Sequence, residues 1–169
     1  WLGHSTVLFR LAGKNILFDP VFGSAAPVSF AVPRFQKTVV ALQELPPIDV
    51  VFISHDHYDH LSYDAMLFFK EQTQTQFYVP LGVSHYLTGW GIDSTRITEL
   101  DWWDEVRVND LTFIATPAHH WSARSLLDRN KTLWASWMIV SQHFKFFFAG
   151  DTGYSDDFTE IRKRVGEPD

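Results

Sequence analysis

Three histidines and two aspartates crowd into the six positions 55–60, directly after the apolar run 50–53. Imidazole nitrogens and carboxylate oxygens bind divalent ions such as zinc at about 2.0–2.2 Å. The alternating spacing of His55 and His57 lets a bent loop at a strand end direct both side chains at one ion. Asp59 and His60 would then face a second ion. Two metals about 3.5–4 Å apart can share a hydroxide, which suits hydrolysis of phosphate esters and amides.

The alternative for this stretch is a solvated loop that is rich in His and Asp without binding a metal. Its position favours the metal hypothesis, because binding and catalytic groups concentrate on loops that a rigid strand holds in place. None of these side chains favours a hydrophobic core. The stretch therefore predicts a metal site.

Two later segments also place polar groups at the ends of apolar strands. The segment 116–121 would bring a third imidazole to His55 and His57. Its position after a strand favours a ligand role for His120 over that of an ordinary surface or core residue. The segment 146–153 places Asp151 between glycines after a very apolar strand. Because glycine allows the backbone to approach a ligand closely, we expect Asp151 to bridge two metals. An ordinary aspartate in a turn is the alternative.

The composition is that of a globular chain of 169 residues, with 46% apolar and 20% charged side chains, so one domain over residues 1–169 is expected. The chain has no cysteine, which excludes disulfides and thiolate zinc sites. A net charge of −6 argues against a nucleic-acid partner, because binding to phosphates usually requires a basic patch. An anionic substrate remains compatible, since two bound Zn²⁺ ions would reverse the local field.

The periodicity of the chain predicts an α/β domain in which strands first alternate with helices and then form a largely antiparallel series. Ser5 to Leu11 and Asn15 to Asp19 predict a hairpin. Ser62 is a suitable N-cap for a helix near 63–73. Further strands are predicted at 77–80, 96–100, 106–108, 111–116, 133–141 and 144–149, with helices at 82–88 and 155–165. Within the loop 20–47, four apolar side chains could either line a substrate groove or plug the edge of the core: Phe22, Phe30, Val32 and Phe35.

The pattern His-x-His-x-Asp-His after an apolar strand resembles the metallo-β-lactamase superfamily. More specifically, the chain resembles the N-acylphosphatidylethanolamine-hydrolysing phospholipase D family and its bacterial relatives. The segments that carry this resemblance are Trp1-Leu2-Gly3-His4-Ser5-Thr6, Glu44-Leu45-Pro46-Pro47-Ile48-Asp49, Ile53-Ser54-His55-Asp56-His57-Tyr58-Asp59-His60-Leu61, Val79-Pro80-Leu81-Gly82, Leu100-Asp101-Trp102-Trp103, Asn130-Lys131-Thr132-Leu133-Trp134 and Phe147-Phe148-Ala149-Gly150-Asp151-Thr152-Gly153-Tyr154.

The resemblance implies an αβ/βα sandwich, represented here mainly by its N-terminal half, in a chain truncated at both ends relative to the family. It also implies two zinc ions. The first would be held by His55, His57 and His120, the second by Asp59 and His60, and Asp151 would bridge them. The family has Gln-His-Trp where this chain has His119-His120-Trp121, which makes His119 a supporting neighbour of the ligands. His4 is a second candidate for such a role. The family's last zinc ligand is a histidine in a downstream His-Trp-Gly segment, which lies beyond residue 169.

The activity that the resemblance implies is hydrolysis of N-acylphosphatidylethanolamine to N-acylethanolamine and phosphatidic acid. A zinc-bridging hydroxide would attack phosphorus, and Asp59 or Asp151 would orient it by accepting its proton. A phospholipid is then the expected partner, in a cytoplasmic or peripheral membrane protein. Transient contact with a membrane surface and a homodimer are compatible with this function.

Three other functions fit parts of the sequence. A lactone hydrolase or other ester hydrolase of the same fold would share every zinc ligand. A di-iron oxidoreductase of this fold usually has Glu in place of His57, so the sequence disfavours it. A non-catalytic metal-binding fragment is the third alternative.

Overall fold

The structure, a computed structural model, describes residues 1–23 and 38–169. Its first sheet has five strands in the order of the chain: β1 (Val7–Leu11), β2 (Lys14–Phe18), β3 (Val50–Phe52), β4 (Gln76–Pro80) and β5 (Ile97–Leu100). The β1–β2 hairpin is antiparallel, whereas β2 to β5 pair in parallel. The short strand β3 therefore lies at the centre of a mostly parallel sheet.

The second sheet is antiparallel throughout. Its strands are β6 (Glu105–Val108), β7 (Leu111–Thr116), β8 (Ser136–Val140) and β9 (Lys145–Phe148), again in the order of the chain. The predicted change from a βα series to an antiparallel series is confirmed. The main difference is that β8 begins at Ser136, three residues after the predicted start.

Within residues 1–23 and 38–169, three helices flank the sheets: α1 (Tyr63–Glu71), α2 (Ser84–Gly89) and α3 (Asp157–Val165). The predicted cap of α1 is confirmed, because the Ser62 hydroxyl accepts a hydrogen bond from the Ala65 amide. Short 3₁₀ turns occupy Leu42–Glu44 and Ser94–Arg96. No helix of the described residues is both long enough and apolar enough to cross a membrane.

The alternation of side chains along β3 divides the core into two layers. Val51 and Ile53 pack with α1 and α2, whereas Val50 and Phe52 pack against the second sheet, where Phe52 contacts Phe113 and Trp137. A strand buried on both faces must be apolar at every position, which explains the continuous run 50–53. Helix α3 contacts the outer face of the second sheet, because its Phe158 ring lies 6.1 Å from that of Phe147, whereas Phe146 and Phe148 face the inner cluster. The layers are thus helix, sheet, sheet and helix, and the predicted α/β sandwich is confirmed.

Of the apolar residues that could line a groove in the loop 20–47, Phe22 packs against the helix-side core. Phe30, Val32 and Phe35 lie outside the described residues.

Candidate metal centre

The loop that carries the histidines leaves β3 where the two sheets meet. The indole nitrogen of Trp137 donates a hydrogen bond to the Ile53 carbonyl, and the Ala135 amide donates to the Ser54 carbonyl. Gly150 has a φ of +57°, and a Cβ at this position would lie 2.8 Å from the Cβ of Ser54. The sequence singled out this glycine for close approach, and the group it approaches is the start of the metal loop.

One group of candidate ligands consists of imidazoles alone, and we call it the imidazole set: His55, His57 and His120. His57 Nδ1 lies 2.9 Å from His55 Nε2 and 3.2 Å from His120 Nε2. His55 and His57 come from the loop after β3, whereas His120 follows β7 in the other sheet. The structure thus brings together the three side chains that were predicted to hold the first ion.

The second group, which we call the mixed set, consists of Asp59, His60 and Asp151. His60 Nε2 lies 3.8 Å from Asp59 Oδ2 and 3.2 Å from Asp151 Oδ1. The other carboxylate oxygen of Asp151 lies 3.8 Å from His120 Nε2. Asp151 therefore stands between the two sets, where the sequence predicted a bridging carboxylate.

The buried carboxylate of Asp19 supports His60 of the mixed set by binding the ring nitrogen that faces away from Asp59 and Asp151. Its Oδ2 accepts hydrogen bonds from His60 Nδ1 at 2.7 Å and from the Ser54 hydroxyl at 2.6 Å, and its Oδ1 accepts from the Ser54 amide at 2.7 Å. A carboxylate on the far nitrogen fixes the tautomer and orientation of a metal-binding histidine. In the sequence, Asp19 before Pro20 indicates only the end of a strand. The parallel pairing of Phe18 with Phe52 brings it to the loop.

The two sets differ in electrostatics. Burial and the neighbouring imidazoles lower the pKa values of His55 and His120, and burial lowers that of His57. Burial also opposes protonation of His60, but the carboxylates of Asp151 and Asp19 outweigh it and raise the pKa of His60 to about 10. The adjacent His60 in turn lowers the pKa of Asp151. In the metal-free chain at neutral pH, the members of the imidazole set are therefore uncharged, whereas His60 is protonated on both ring nitrogens and positively charged.

The residues present fit divalent metal ions. His60 Nε2 is buried and lacks a well-aligned hydrogen-bond partner, although it faces two carboxylates. A buried polar atom without a partner is costly, and an ion would satisfy it. The donors are imidazole and carboxylate, which suit zinc and similar ions.

The two supporting histidines occupy different positions. His4 Nε2 lies 3.0 Å from Asp59 Oδ2, and the His4 ring contacts the His60 ring edge-on. His4 has a φ of +47°, and the Trp1 indole donates a hydrogen bond to its carbonyl. The backbone of His119 pairs with Gly153, and its side chain is exposed. His4 therefore lies within reach of the mixed set, and His119 anchors the strand end through its backbone.

Arg124 also supports the metal loop, a role that the sequence does not predict. Its Nη1 donates hydrogen bonds to the carbonyls of Asp56 and Leu61, at 2.6 and 2.8 Å, and its guanidinium stacks over the Tyr58 ring. It thus clamps both ends of the metal loop. A lone arginine in a polar stretch carries no sequence signal for this role.

Comparison with known proteins places these features in context. A family model described as a β-lactamase superfamily domain matches residues 14–169. An uncharacterized protein of Mycobacterium tuberculosis is 44% identical over 163 residues, which cover 95% of this chain and 44% of that protein. The N-acyl-phosphatidylethanolamine-hydrolyzing phospholipase D 1 of Caenorhabditis elegans is 37% identical over 177 residues, covering 98% of this chain and 50% of that protein. The chain spans about half the length of these relatives or less.

Among solved structures, the di-iron β-hydroxylase CmlA of Streptomyces venezuelae matches with a TM-score of 0.77. The match covers 100% of this chain and 32% of CmlA at 21% sequence identity, so it bears on the fold alone.

Proposed function

The chain belongs to the β-lactamase superfamily domain family, and on this premise we propose that it is the zinc-binding part of a phosphodiester hydrolase of the phospholipase D type. The proposed substrate is N-acylphosphatidylethanolamine. The products would be N-acylethanolamine and phosphatidic acid.

The observation that carries this proposal is the position of Asp151 between the imidazole set and the mixed set. One of its oxygens lies 3.2 Å from His60 Nε2 and the other lies 3.8 Å from His120 Nε2. A carboxylate that faces two ligand groups at once supports a pair of ions. Such pairs stabilise both the attacking and the leaving oxygen of an in-line displacement at phosphorus.

In this proposal, the imidazole set holds one ion and the mixed set helps to hold the other. When bound, the ions supply Lewis-acid stabilisation of the phosphoryl oxygens and lower the pKa of a water molecule to about 7. Asp59 or Asp151 orients the attacking water and accepts its proton, so these two residues are the proposed catalytic side chains. Asp19 keeps Nε2 of His60 directed at the site, and His4 positions Asp59. The water oxygen joins phosphorus as the bond to the N-acylethanolamine oxygen breaks.

The substrate class rests on similarity to the C. elegans phospholipase, together with the segments that distinguish this family in the sequence. A lactone hydrolase or other ester hydrolase would use the same ligands, so substrate profiling must separate it. An oxidoreductase is not supported by the similarity to CmlA, which concerns the fold alone. It is also disfavoured by His57, because di-iron enzymes of this fold usually have Glu at that position. A metal-binding fragment without activity is the remaining alternative.

The test is mass spectrometry of the products formed from N-acylphosphatidylethanolamine by the zinc-loaded, intact protein in water enriched in ¹⁸O. We expect N-acylethanolamine and phosphatidic acid, with the label in the phosphatidic acid. His57→Ala should lower the rate by about three orders of magnitude. The control is His143→Ala, which changes an exposed histidine outside both ligand sets and should act like the wild type.

Unchanged lipid from a folded, zinc-replete protein would overturn the phospholipase proposal. Hydrolysis of lactones or carboxylic esters by the same preparation would then favour the alternative hydrolase.

A further inference from the structure

A turn beside the metal centre exposes two consecutive leucines to solvent. Leu126 is 100% exposed and Leu127 is 87% exposed. They belong to the segment Trp121–Lys131, which we call the tip segment. Isolated apolar side chains are common on protein surfaces, but two adjacent and almost fully exposed leucines are typical of a contact surface.

Hydrogen bonds fix the shape of the turn that presents these leucines. The carboxylate of Asp128 accepts from the backbone amides of Arg124, at 3.0 Å, and Ser125, at 2.8 Å. At the base of the segment, the Asn130 amide donates to the Ser122 carbonyl at 2.8 Å. The hydrogen-bonded turn therefore keeps the leucines exposed, and it loses little conformational entropy when they enter an interface.

The tip segment is locally basic in a chain whose net charge is −6. Arg129 and Lys131 are exposed and follow Leu127 by two and four residues, and Arg124 precedes Leu126 by two. The one carboxylate of the segment, Asp128, is engaged by backbone amides. Apolar side chains flanked by exposed cations are complementary to a bilayer surface that carries anionic phosphates.

A groove lies within the tip segment, and one of its lining residues, Trp121, borders the metal centre. It has a volume of about 530 Å³ and is lined by Trp121, Ala123, Arg124, Ser125, Leu126 and Arg129. The Trp121 ring contacts the His57 ring at 4.3 Å between centroids. The Arg129 guanidinium lies over the Trp121 ring, 5.1 Å from its centroid. The same surface therefore extends from the exposed leucines to the imidazole set.

We infer that the tip segment docks this protein on an anionic phospholipid bilayer. Leu126 and Leu127 enter the boundary between headgroups and acyl chains, and Arg129 and Lys131 contact lipid phosphates. Docking would align the groove with the bilayer surface, so that a headgroup reaches the ions without the lipid leaving the membrane. The inference deepens the proposed function, because it rests on a lipid substrate for the metal centre.

The test is co-sedimentation of the intact protein with vesicles of phosphatidylcholine, with and without phosphatidylglycerol, and free of N-acylated lipid. We expect binding that phosphatidylglycerol strengthens and that salt weakens. The double variant Leu126→Ser/Leu127→Ser should lower the partition coefficient about tenfold. Arg129→Ser should lower it only on vesicles that contain phosphatidylglycerol.

Two matched controls separate the tip from general surface effects. Val39→Ser removes an apolar side chain that is 78% exposed outside the tip, and Arg107→Ser removes an exposed arginine of the second sheet. Both should bind vesicles like the wild type. Equal losses in the controls and the tip variants would overturn the inference, as would wild-type binding by the double leucine variant.

The outcomes distinguish this inference from the proposed function. Vesicles without N-acylated lipid report docking even if the enzyme has another substrate. Binding without hydrolysis of N-acylphosphatidylethanolamine contradicts the proposed function alone. Hydrolysis of detergent-dispersed lipid without vesicle binding contradicts the docking alone. If sedimentation velocity shows that the leucine variants abolish self-association, the tip is a protein contact and the inference is wrong.

Discussion

The imidazole set and the mixed set lie side by side, yet their surroundings prepare them differently. The imidazole set consists of three neutral histidines, and burial lowers the pKa of each. His60, the one imidazole of the mixed set, instead faces the carboxylates of Asp151 and Asp19, which raise its pKa to about 10. One half of the centre is ready to bind a cation at neutral pH, whereas the other already contains a positive charge in the form of a proton.

The difference has a physical origin in the two sheets. Asp19 ends a strand of the parallel sheet directly beside β3, so its carboxylate reaches His60 from the protein interior. Asp151 reaches the other nitrogen of the same ring from the antiparallel sheet. His60 is thus the only one of the four candidate ligand imidazoles with carboxylates facing both of its ring nitrogens in the described part of the chain. The same two carboxylates that hold the proton would stabilise an ion in its place.

The largest effect that follows from this comparison is on the pH dependence of metal binding. The pKa of His60 is about 10, so at lower pH its imidazole is positively charged and must release a proton before Nε2 can bind an ion. The affinity of the mixed set should therefore rise about tenfold per pH unit between about pH 6 and 8. The affinity of the imidazole set should stay nearly constant above pH 6.5, because its pKa values are lowered and its members are already neutral.

Isothermal titration calorimetry in buffers with different ionisation enthalpies measures this prediction. The second equivalent of zinc should release about one proton more than the first. Equal proton release in both steps would remove the proposed difference between the sets.

The next effect concerns the support of the mixed set. Asp19→Asn removes the charge that holds His60 Nδ1, and it should weaken binding of the second ion about 10- to 100-fold while it leaves the first nearly unchanged. The control is Asp49→Asn, because Asp49 also accepts a backbone amide beside β3, that of Asn15, but lies away from the ligands. Metal content after dialysis against graded chelator reports both ions. A uniform loss of both would mean that Asp19 supports the loop as a whole.

The last effect is on the stability of the fold that positions both sets. Gly150→Ala places a methyl group against Ser54 at a positive φ, and we expect a loss of about 1–3 kcal/mol in the free energy of unfolding. Gly13→Ala is the matched control, because Gly13 also has a positive φ but no atom lies within 4 Å of the added Cβ. Chemical denaturation should show the larger loss at Gly150. Equal losses would indicate that backbone strain alone accounts for the effect.

Much of the fold could be predicted from the sequence, because the informative patterns are local. The apolar run before the metal loop, the Ser62 cap and the change in strand pattern each depend on neighbours along the chain. The loop histidines were candidate ligands for the same reason. His120 and Asp151 were candidates because each comes a few residues after an apolar strand.

The roles of Asp19 and Arg124 could not be predicted, because they depend on the register between distant segments. An aspartate before a proline is an ordinary way to end a strand, and only the pairing of β2 with β3 brings Asp19 to Ser54 and His60. Arg124 reaches the metal loop from a turn between the strands of the other sheet. Neither contact leaves a pattern in the residues around it.

The division of the ligands between the two sheets has a consequence for folding. His55, His57, Asp59 and His60 follow a strand of the first sheet, whereas His120 and Asp151 follow strands of the second. An ion held by both groups closes a long loop of the chain, as a disulfide does, and removes conformational entropy from the unfolded state. Such an ion would cross-link the two sheets, which must dock before it can bind. We therefore expect metal binding to be a late event in folding that mainly slows unfolding.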